Sequence, residues 1–411
     1  MSFQQGLSGL SASSKTLEAI GNNISNANTV GFKSSTARFS DLYAASLSGS
    51  GTGNTGIGTQ VSQVAQQFSQ GNLTASANPL DLAINGGGFF RLSHNGTISY
   101  ARNGQFQLDK SGYIVNPNGD RLTGYTANSS GVLSTGAPAD LLISATDLAP
   151  KITTTVTAQL NLDSRSTTPT LAFSAANPAT YNSATSVNVF DSLGNSHVVQ
   201  TFYVKTAANT WDIYGTYDDG TTTQATVPAV IGQLVFGPTG AITTPAPPAP
   251  ASFATTLTVT TGAGTVPITI DWSGTTQFGS TFSVNALSQD GFASGRLAGF
   301  TTSNTGVISG RYTNGQTAVL GQVVLANFRS PTGLQPLGNN AWGETSDSGV
   351  PLVGTPNSGS LGVLQSSSVE ESNVDLTAEL VNMITAQRVY QANAQTIKTQ
   401  DQVLQTLVNL R

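Results

Sequence analysis

The sequence contains no cysteine, only two histidines and few charged residues of either sign. Without cysteine the chain has no disulfide bonds, thiolate zinc sites or cysteine nucleophiles. Its 411 residues include 16 Lys+Arg and 21 Asp+Glu, whereas an average soluble chain has about a quarter charged residues. The net charge of −5 and the lack of a basic cluster argue against a nucleic-acid partner. Low surface charge also weakens repulsion between copies, which favours association.

Long apolar runs are also missing. No run approaches the ~18 residues of a membrane-spanning helix, so we expect no membrane insertion. The chain starts with MSFQQGLSGL, which has neither a basic segment nor a continuous apolar segment, so we expect no cleaved signal peptide. The length predicts two to four domains.

The residues that catalysis or metal binding would need are scarce. His94 and His197 both lie in or beside predicted hairpin turns, without a carboxylate or a second histidine at ligand spacing, and we interpret both as surface residues. The segment NGGGFF (85–90) is not followed by Lys-Ser/Thr or by a helix, so we interpret it as a turn or a close backbone approach. We therefore expect no catalytic residues, no cofactor and no metal.

Both ends of the chain have an apolar repeat with alternating spacings of four and three, which is typical of helices that pack as a coiled coil. At the C-terminal end it predicts a helix over 375–411, with Ser372 and Asp375 as a capping-box-like start. The repeat forms only one narrow apolar stripe along each helix, which favours pairing of the two terminal helices, within or between subunits. The alternative is a helix packed on its own globular domain. The predicted seam comprises Phe3, Leu7, Leu10, Leu17, Ile20, Ile24, Leu376, Leu380, Met383, Tyr390, Ala394, Ile397, Leu404 and Val408.

Between the two ends the sequence predicts β-structure. Asn-Gly pairs at 95–96, 103–104, 118–119 and 314–315 are flanked by alternating or aromatic residues, which indicates hairpin turns. Composition shifts near 147–156 and 287–295 predict one β domain inserted into another. The predicted fold is multidomain α+β and mainly β, with the terminal helices paired as a coiled-coil-like inner domain and nested antiparallel β domains in the middle.

The polar segment GNNISNANTVGFKSS (21–35) follows the first helical pattern. Asn amides bond backbone groups without adding charge, and glycine allows conformations that other residues resist. We interpret the segment as a connector that acts as a joint between subunits. Gly31→Val or Phe32→Ala is then expected to leave monomer folding nearly intact but to impair assembly. The connector residues are Asn22, Asn23, Asn26, Asn28, Gly31, Phe32 and Lys33.

Several segments together resemble the flagellar rod and hook proteins, a family of axial proteins. They are IGNNISNANTVGFKSSTARFSDLY (20–43), DLAINGGGFFRL, YARNGQFQLDKSGYIVNPNGDRLTGY, AVLGQVVLANFRSPTGLQPLGNNAWGETSDSG and ELVNMITAQRVYQANAQTIKTQDQVLQTLVNLR (379–411). They cover well over half of the chain in the expected order. Within the family, the extra Thr-rich region 151–290 resembles hook proteins more than distal rod proteins, which are the alternative. Hook-associated junction proteins fit less well.

The resemblance implies a structural, non-enzymatic subunit of a flexible hollow tube that transmits torque and lets exported subunits pass. It implies a helical domain (1–28 and 372–411), connecting segments (29–77 and 360–371), an inner β domain (78–150 and 291–359) and an outer β domain (151–290). The implied partners are further copies of the chain, the distal rod protein, the hook cap, the hook–filament junction protein and the flagellar type III export apparatus. The implied location is the extracellular hook.

The polar face of the C-terminal helix is a candidate channel lining, since amides would not trap a passing chain by ion pairs or apolar contacts. The candidate residues are Gln391, Gln395, Gln402 and Gln405. A secreted β-rich adhesin is a competing class. It would explain the β-rich middle and the low charge but not the two helical ends.

Overall fold

The computed structural model describes residues 2–42, 56–128, 131–144, 146–219, 224–226, 230–245 and 251–409. Along the sequence, two long helices, α1 (Ser2–Ser25) and α2 (Leu376–Asn409), flank a series of β-strands. The first ten strands are β1 (Ser35–Leu42), β2 (Gly58–Gln66), β3 (Leu73–Ala75), β4 (Leu82–Asn85), β5 (Phe89–His94), β6 (Thr97–Ala101), β7 (Gln107–Leu108), β8 (Ile114–Val115), β9 (Arg121–Thr126) and β10 (Ala139–Asp140). The next ten are β11 (Thr155–Asp163), β12 (Ser183–Phe190), β13 (Ser196–Ala207), β14 (Thr210–Asp218), β15 (Gln224–Thr226), β16 (Gly232–Phe236), β17 (Ile242–Thr244), β18 (Ser252–Leu257), β19 (Val266–Asp271) and β20 (Thr276–Phe278). The last ten are β21 (Ser283–Gln289), β22 (Leu297–Thr302), β23 (Val307–Tyr312), β24 (Thr317–Val323), β25 (Leu325–Asn327), β26 (Gln335–Gly338), β27 (Ala341–Gly343), β28 (Leu352–Gly354), β29 (Val363–Ser366) and β30 (Ser368–Glu370).

The predicted fold class is confirmed, with two terminal helices around a mainly β chain. The predicted β domains are not antiparallel throughout, because β11 pairs in parallel with β19 and β20. The N-cap of α2 is Asp375, whose Oδ1 accepts hydrogen bonds from Thr377 N at 2.9 Å and Ala378 N at 3.1 Å. Ser372 was the expected start of a capping box, but its hydroxyl accepts only from Val374 N outside the helix. Neither described helix is long and apolar enough to cross a membrane.

The chain divides into two compact units. The first comprises Met1–Ala145, Gly299–Arg311 and Thr317–Arg411, and the second comprises Thr146–Ala298 and Tyr312–Gln316. In the first unit β1 and β2 form a separate antiparallel hairpin. The small sheets β3–β30 and β4–β29 join the chain that follows this hairpin to the chain that precedes α2. Segments far apart in sequence therefore meet at the base of the helices.

The larger sheet of the first unit runs in the order β22-β23-β24-β9-β5-β6-β27-β26, with further short strands at its sides. Its core includes a cluster of edge-to-face aromatic rings. The Tyr100 and Phe328 ring centroids are 4.7 Å apart, and those of Phe89 and Trp342 are 5.7 Å apart. Such aromatic pairs stabilise the fold by more than the burial of their apolar area alone would.

Three of the four predicted Asn-Gly turns connect neighbouring strands, at 95–96, 118–119 and 314–315. The fourth prediction is wrong, because β6 and β7, on either side of 103–104, do not pair with each other. Gly104 instead lies against the backbone of Leu82, whose N–H donates to Gly104 O at 2.9 Å. A Cβ at position 104 would overlap Leu82 O. This glycine allows two backbones to pack closely, which the dipeptide alone does not distinguish from a turn.

The second unit contains two sheets that share one core. The order is β18-β19-β11-β20, with β21 beside β11, in one sheet and β12-β13-β14-β16-β17, with β15 beside β14, in the other. Trp272, which directly follows β19, and Trp211 on β14 are both buried in this core. Their indole N–H groups donate to Tyr203 OH at 3.2 Å and Gln277 Oε1 at 3.0 Å, so burial leaves neither donor unpaired.

The interpretation of His197 as a surface residue is wrong, whereas His94 is exposed as expected. His197 is 1% exposed, and its ring nitrogens lie 3.2 Å from Asp191 Oδ2 and 2.9 Å from Asp218 O. Burial alone would raise the pKa of Asp191, but hydrogen bonds from Asn195, His197 and other donors outweigh it and hold this pKa below its usual range. The pair therefore lies at the turn of the β12–β13 hairpin and links it to the end of β14 through Asp218 O.

Candidate assembly site

The terminal helices of one chain contact each other along a stripe of small and polar residues. A Cβ at Gly6 would lie 3.1 Å from Ile397 Cγ1, and one at Gly9 would lie 2.9 Å from the Asn393 side-chain amide. The same amide lies 3.5 Å from Ser13 Oγ. Glycine and serine on α1 therefore allow α2 to approach closely, and little large apolar surface is buried at this contact.

At the other end of the helix pair, Asn23 Nδ2 donates to Glu379 Oε1 at 3.2 Å. The predicted four–three repeat of α1 runs through positions 3, 7, 10, 14, 17, 21 and 24. The contact residues 6, 9, 13 and 23 each precede one of these positions by one residue. One residue corresponds to about 100° around a helix of 3.6 residues per turn. Most of the predicted apolar stripe of α1 therefore lies beside the contact with α2, whereas Ile20, which is also a predicted seam residue, is in register with the contact residues.

The predicted seam residues consequently differ in burial. Ile20 is buried at 6% exposure. The half-buried members are Leu10, Leu17, Ile24, Met383, Ala394 and Ile397. The exposed members are Phe3, Leu7, Leu376, Leu380, Tyr390 and Leu404. The Val408 side chain lies outside the described residues. A single chain thus leaves much of this stripe open to other molecules.

The asparagines of the connector have different roles. Asn23 is 1% exposed, and its amide both donates to Ser35 O at 2.9 Å and accepts from Ser35 N at 2.8 Å. It therefore attaches the end of α1 to the start of β1. Asn26 Nδ2 donates to Asn22 O at 2.9 Å and closes the last turn of the helix. Asn28 is exposed.

Gly31, Phe32 and Lys33 lie inside the subunit. Lys33 Nζ donates to Glu370 Oε1 at 2.6 Å and to Ser69 O at 2.7 Å, and the side chains of both ion-pair partners are 0% exposed. Gly31 N donates to Glu370 O at 2.8 Å. The connector is therefore fixed to the strand that precedes α2, and the structure places these three residues in contacts within one chain.

A second cation shares this buried cluster. Arg102 is 4% exposed, its NH1 lies 3.6 Å from Glu370 Oε2, and its NH2 donates to Gly86 O at 2.7 Å. Burial lowers the pKa of Lys33 and that of Arg102, although the nearby Glu370 carboxylate opposes both shifts. One carboxylate thus faces two buried cations. Sequence reasoning missed Glu370 and Arg102, because no local pattern indicates a partner so distant in the chain.

The expectation that Gly31→Val leaves monomer folding nearly intact does not hold. Gly31 has a φ of +72°, and a Cβ there would lie 2.5 Å from Asn103 N. Phe32 is also buried, at 9% exposure. We therefore expect substitution at either position to disturb packing within the subunit.

The candidate channel residues Gln391, Gln395, Gln402 and Gln405 are all exposed. Helical spacing places them on the side of α2 opposite to Glu379, Ala386 and Asn393, which face α1. Two exposed cations, Arg388 and Lys398, share that side. The described residues contain no cluster of three or more His, Asp or Glu side chains that could hold a metal ion.

Four family models match successive parts of the chain. "Flagella basal body rod protein" matches residues 3–33, and "Flagellar hook protein FlgE/F/G D1 domain" matches residues 83–162. "Flagellar basal body protein FlaE D2 domain" matches residues 161–292, and "Flagellar basal body rod FlgEFG protein C-terminal" matches residues 365–410.

Whole relatives align over the entire chain. Flagellar hook protein FlgE of Escherichia coli (strain K12) is 43% identical, and that of Salmonella typhimurium is 42% identical, with 100% of each chain covered. FlgE of Borreliella burgdorferi is 33% identical over 100% of this chain and 99% of its own. The crystal structure of Helicobacter pylori FlgE2 is similar in fold, with a TM-score of 0.52 at 14% identity over 71% of this chain and 99% of that one. The chain therefore belongs to the flagellar hook protein family.

Proposed function

We propose that this structural hook subunit polymerises into a flexible hollow tube, which joins the rod to the filament, transmits torque around a bend and lets exported subunits pass. The observation that carries the proposal is the exposed apolar stripe on the terminal helices, where Phe3 is 45% and Leu7 53% exposed. Each fully buried large apolar side chain gains ~1.5–3 kcal/mol. A contact that covers this stripe in every subunit would therefore hold a polymer together.

The rest of the chain has properties that suit this role. We expect the β domains, whose surfaces are rich in threonine, serine and asparagine, to provide contacts that slide as the tube bends. Weak polar contacts exchange with water and with neighbours at little net cost. The fourfold division into a helical domain, connecting segments, an inner β domain and an outer β domain belongs to this proposal. So do the extracellular location, export without a cleaved signal peptide by the type III route, and the rod, cap and junction partners.

Electron microscopy of the purified full-length protein after polymerisation tests the proposal. We expect short curved tubes. Straight rods would contradict a flexible, curved tube, and a protein that stays monomeric under all conditions would contradict a polymer-forming role. Removal of residues 375–411 provides the matched variant, because it deletes the described helix α2 and leaves the β domains. We expect this variant to lose polymerisation, whereas an adhesin would keep its binding activity.

The face of α2 opposite to α1 is the proposed channel lining. Replacing Gln391, Gln395 and Gln402 together with leucine should create an adhesive apolar strip, since unfolded chains in transit expose apolar side chains. We expect hooks to form but filaments to be short or missing. The matched control replaces the same three glutamines with asparagine and keeps the amides. Filament length on isolated hooks is the measurement, and normal filaments in the leucine variant would refute the lining role.

A further inference from the structure

A groove lies between α1, α2 and the β1–β2 hairpin, with a volume of about 590 Å³. Small residues of α1 form its floor, among them Gly9, Ala12 and Thr16. Ala386 and Val389 of α2 contribute to one wall, and residues of both hairpin strands, including Phe39 and Thr59, form the other. The volume is within the range of pockets that bind ligands, roughly 300–1,000 Å³. The groove therefore has room for several large side chains.

The hairpin is held along α1 and keeps the groove open. Gln5 Nε2 donates to Gly56 O at 2.6 Å near the start of α1, and Asn23 bonds Ser35 near its end. Between these attachments Ile20 is the large apolar residue of α1 in the lining, and the smaller residues beside it, such as Ala12 and Ala19, leave the space between the two walls unfilled. The walls and floor come from three segments of the first unit, so the groove is a fixed feature of that unit.

The groove also contains an unpaired polar atom. Glu379 Oε1 accepts from Asn23, but Glu379 Oε2 is buried and has no hydrogen-bond partner among the described residues. A buried carboxylate oxygen without a donor is costly. The groove therefore fits a segment that brings large apolar side chains, at least one hydrogen-bond donor and no carboxylate.

The start of α1 is such a segment. Phe3 and Leu7 are exposed and lie one helical turn apart, and Gln4 beside them is exposed and carries an amide donor. The first turn of α1 has no acidic residue. The groove floor is centred near residue 16 of the same rigid helix, about 15 Å from these side chains at ~1.5 Å per residue. A chain therefore cannot fill its own groove with them.

Resting on the proposed polymeric function, we infer that the start of α1 in one copy inserts Phe3 and Leu7 into the groove of the next copy. This is a helix-in-groove contact, in which the side chains at positions i and i+4 of one helix enter the groove. The two surfaces of the contact are different, so each copy offers one groove and one pair of side chains. Contacts of this kind continue from copy to copy, and they build open helical polymers where the rotation between copies does not close into a ring.

The natural absence of cysteine allows a direct test by cross-linking. The variant Leu7→Cys/Thr16→Cys places both thiols on α1, nine residues or about 13 Å apart. A disulfide needs Cα atoms within roughly 7 Å, so these two thiols can bridge only between copies. Leu7→Cys/Glu18→Cys is the matched control, because Glu18 is exposed and does not line the groove.

Polymerised samples are oxidised and separated under denaturing, non-reducing conditions. We expect the Leu7→Cys/Thr16→Cys chains to shift from monomer to a ladder of dimers, trimers and longer products, and the control to stay monomeric. Tubes without a ladder, or dimers alone, would overturn this contact and leave the proposed function intact. Failure of the unaltered protein to form tubes would instead reject the function. If Leu7→Cys prevents assembly, Phe3→Cys/Thr16→Cys replaces it and is judged by the same outcomes.

Discussion

Glu370→Gln is expected to lower the free energy of unfolding of the helix-bearing unit by about 3–5 kcal/mol, the usual loss when one partner of a buried ion pair is removed. Glu370 is 0% exposed, and its Oε1 accepts from Lys33 Nζ at 2.6 Å and Gly71 N at 2.9 Å. Glutamine keeps the volume and one acceptor oxygen but leaves Lys33 and Arg102 as uncompensated buried cations. The expected decrease in the free energy of unfolding therefore arises from the missing charge and not from a change in packing.

Urea unfolding followed by far-UV circular dichroism measures this effect, because both described helices belong to the first unit. Glu371→Gln is the matched control, since the neighbouring Glu371 is exposed, and we expect its effect to be within about 0.5 kcal/mol. Lys33→Met combined with Glu370→Gln should recover part of the loss, because the pair is then removed as a whole. A destabilisation equal to that of the control would show that the buried pair contributes little.

The pH dependence of Glu370→Gln provides a second readout. Burial already lowers the pKa of Lys33 in the folded protein, and the loss of Glu370 removes the main group that opposes this shift. Between the lowered folded pKa and the ordinary lysine pKa, the unfolded chain binds more protons than the folded one. Stability then rises with pH. The difference in the free energy of unfolding between the unaltered protein and the variant should therefore become smaller as pH increases through this window. A difference caused by a packing defect would not depend on pH.

Local signals predicted much of the fold. Helix α2 runs from Leu376 to Asn409, close to the predicted 375–411, because an apolar repeat without internal glycine or proline is a local property. The three correct Asn-Gly turns depend on glycine at positive φ, which is also local. Each of these features is encoded within a few neighbouring residues.

The missed features depend on contacts between distant segments. Lys33 and Glu370 are separated by 337 positions, so no spacing rule links them. The apolar repeat of α1 predicted a buried face, but it could not distinguish a face covered by α2 from one left for another copy. The actual contact with α2 uses Gly6, Gly9 and Ser13, which have no apolar signal. The groove could not be predicted from the sequence either, because it is the space that small side chains of α1 leave between α2 and the β1–β2 hairpin.

Gly31→Ala is expected to destabilise the first unit by about 2–5 kcal/mol, the sum of left-handed backbone strain of roughly 1–2 kcal/mol and overpacking of roughly 1–3 kcal/mol. The φ of Gly31 is +72°, and its added Cβ would lie 2.5 Å from Asn103 N and 2.8 Å from Asn103 Cα. Both atoms are backbone, so a rotamer change cannot relieve the overlap. The connector must move away from the β domain, which stretches the hydrogen bond from Gly31 N to Glu370 O.

Gly21→Ala is the matched control at the other end of the same motif. Gly21 lies inside α1, and a Cβ there would meet nothing within 4 Å. Alanine should therefore stabilise the helix by about 0.5–1 kcal/mol. Urea unfolding should shift in opposite directions for the two variants, and amide hydrogen exchange over 31–34 should rise only for Gly31→Ala. If Gly31→Ala folds as stably as the unaltered protein but fails to form tubes, the connector acts between subunits and not within one. If it is less stable and its exchange rises, the connector is a rigid attachment within the subunit.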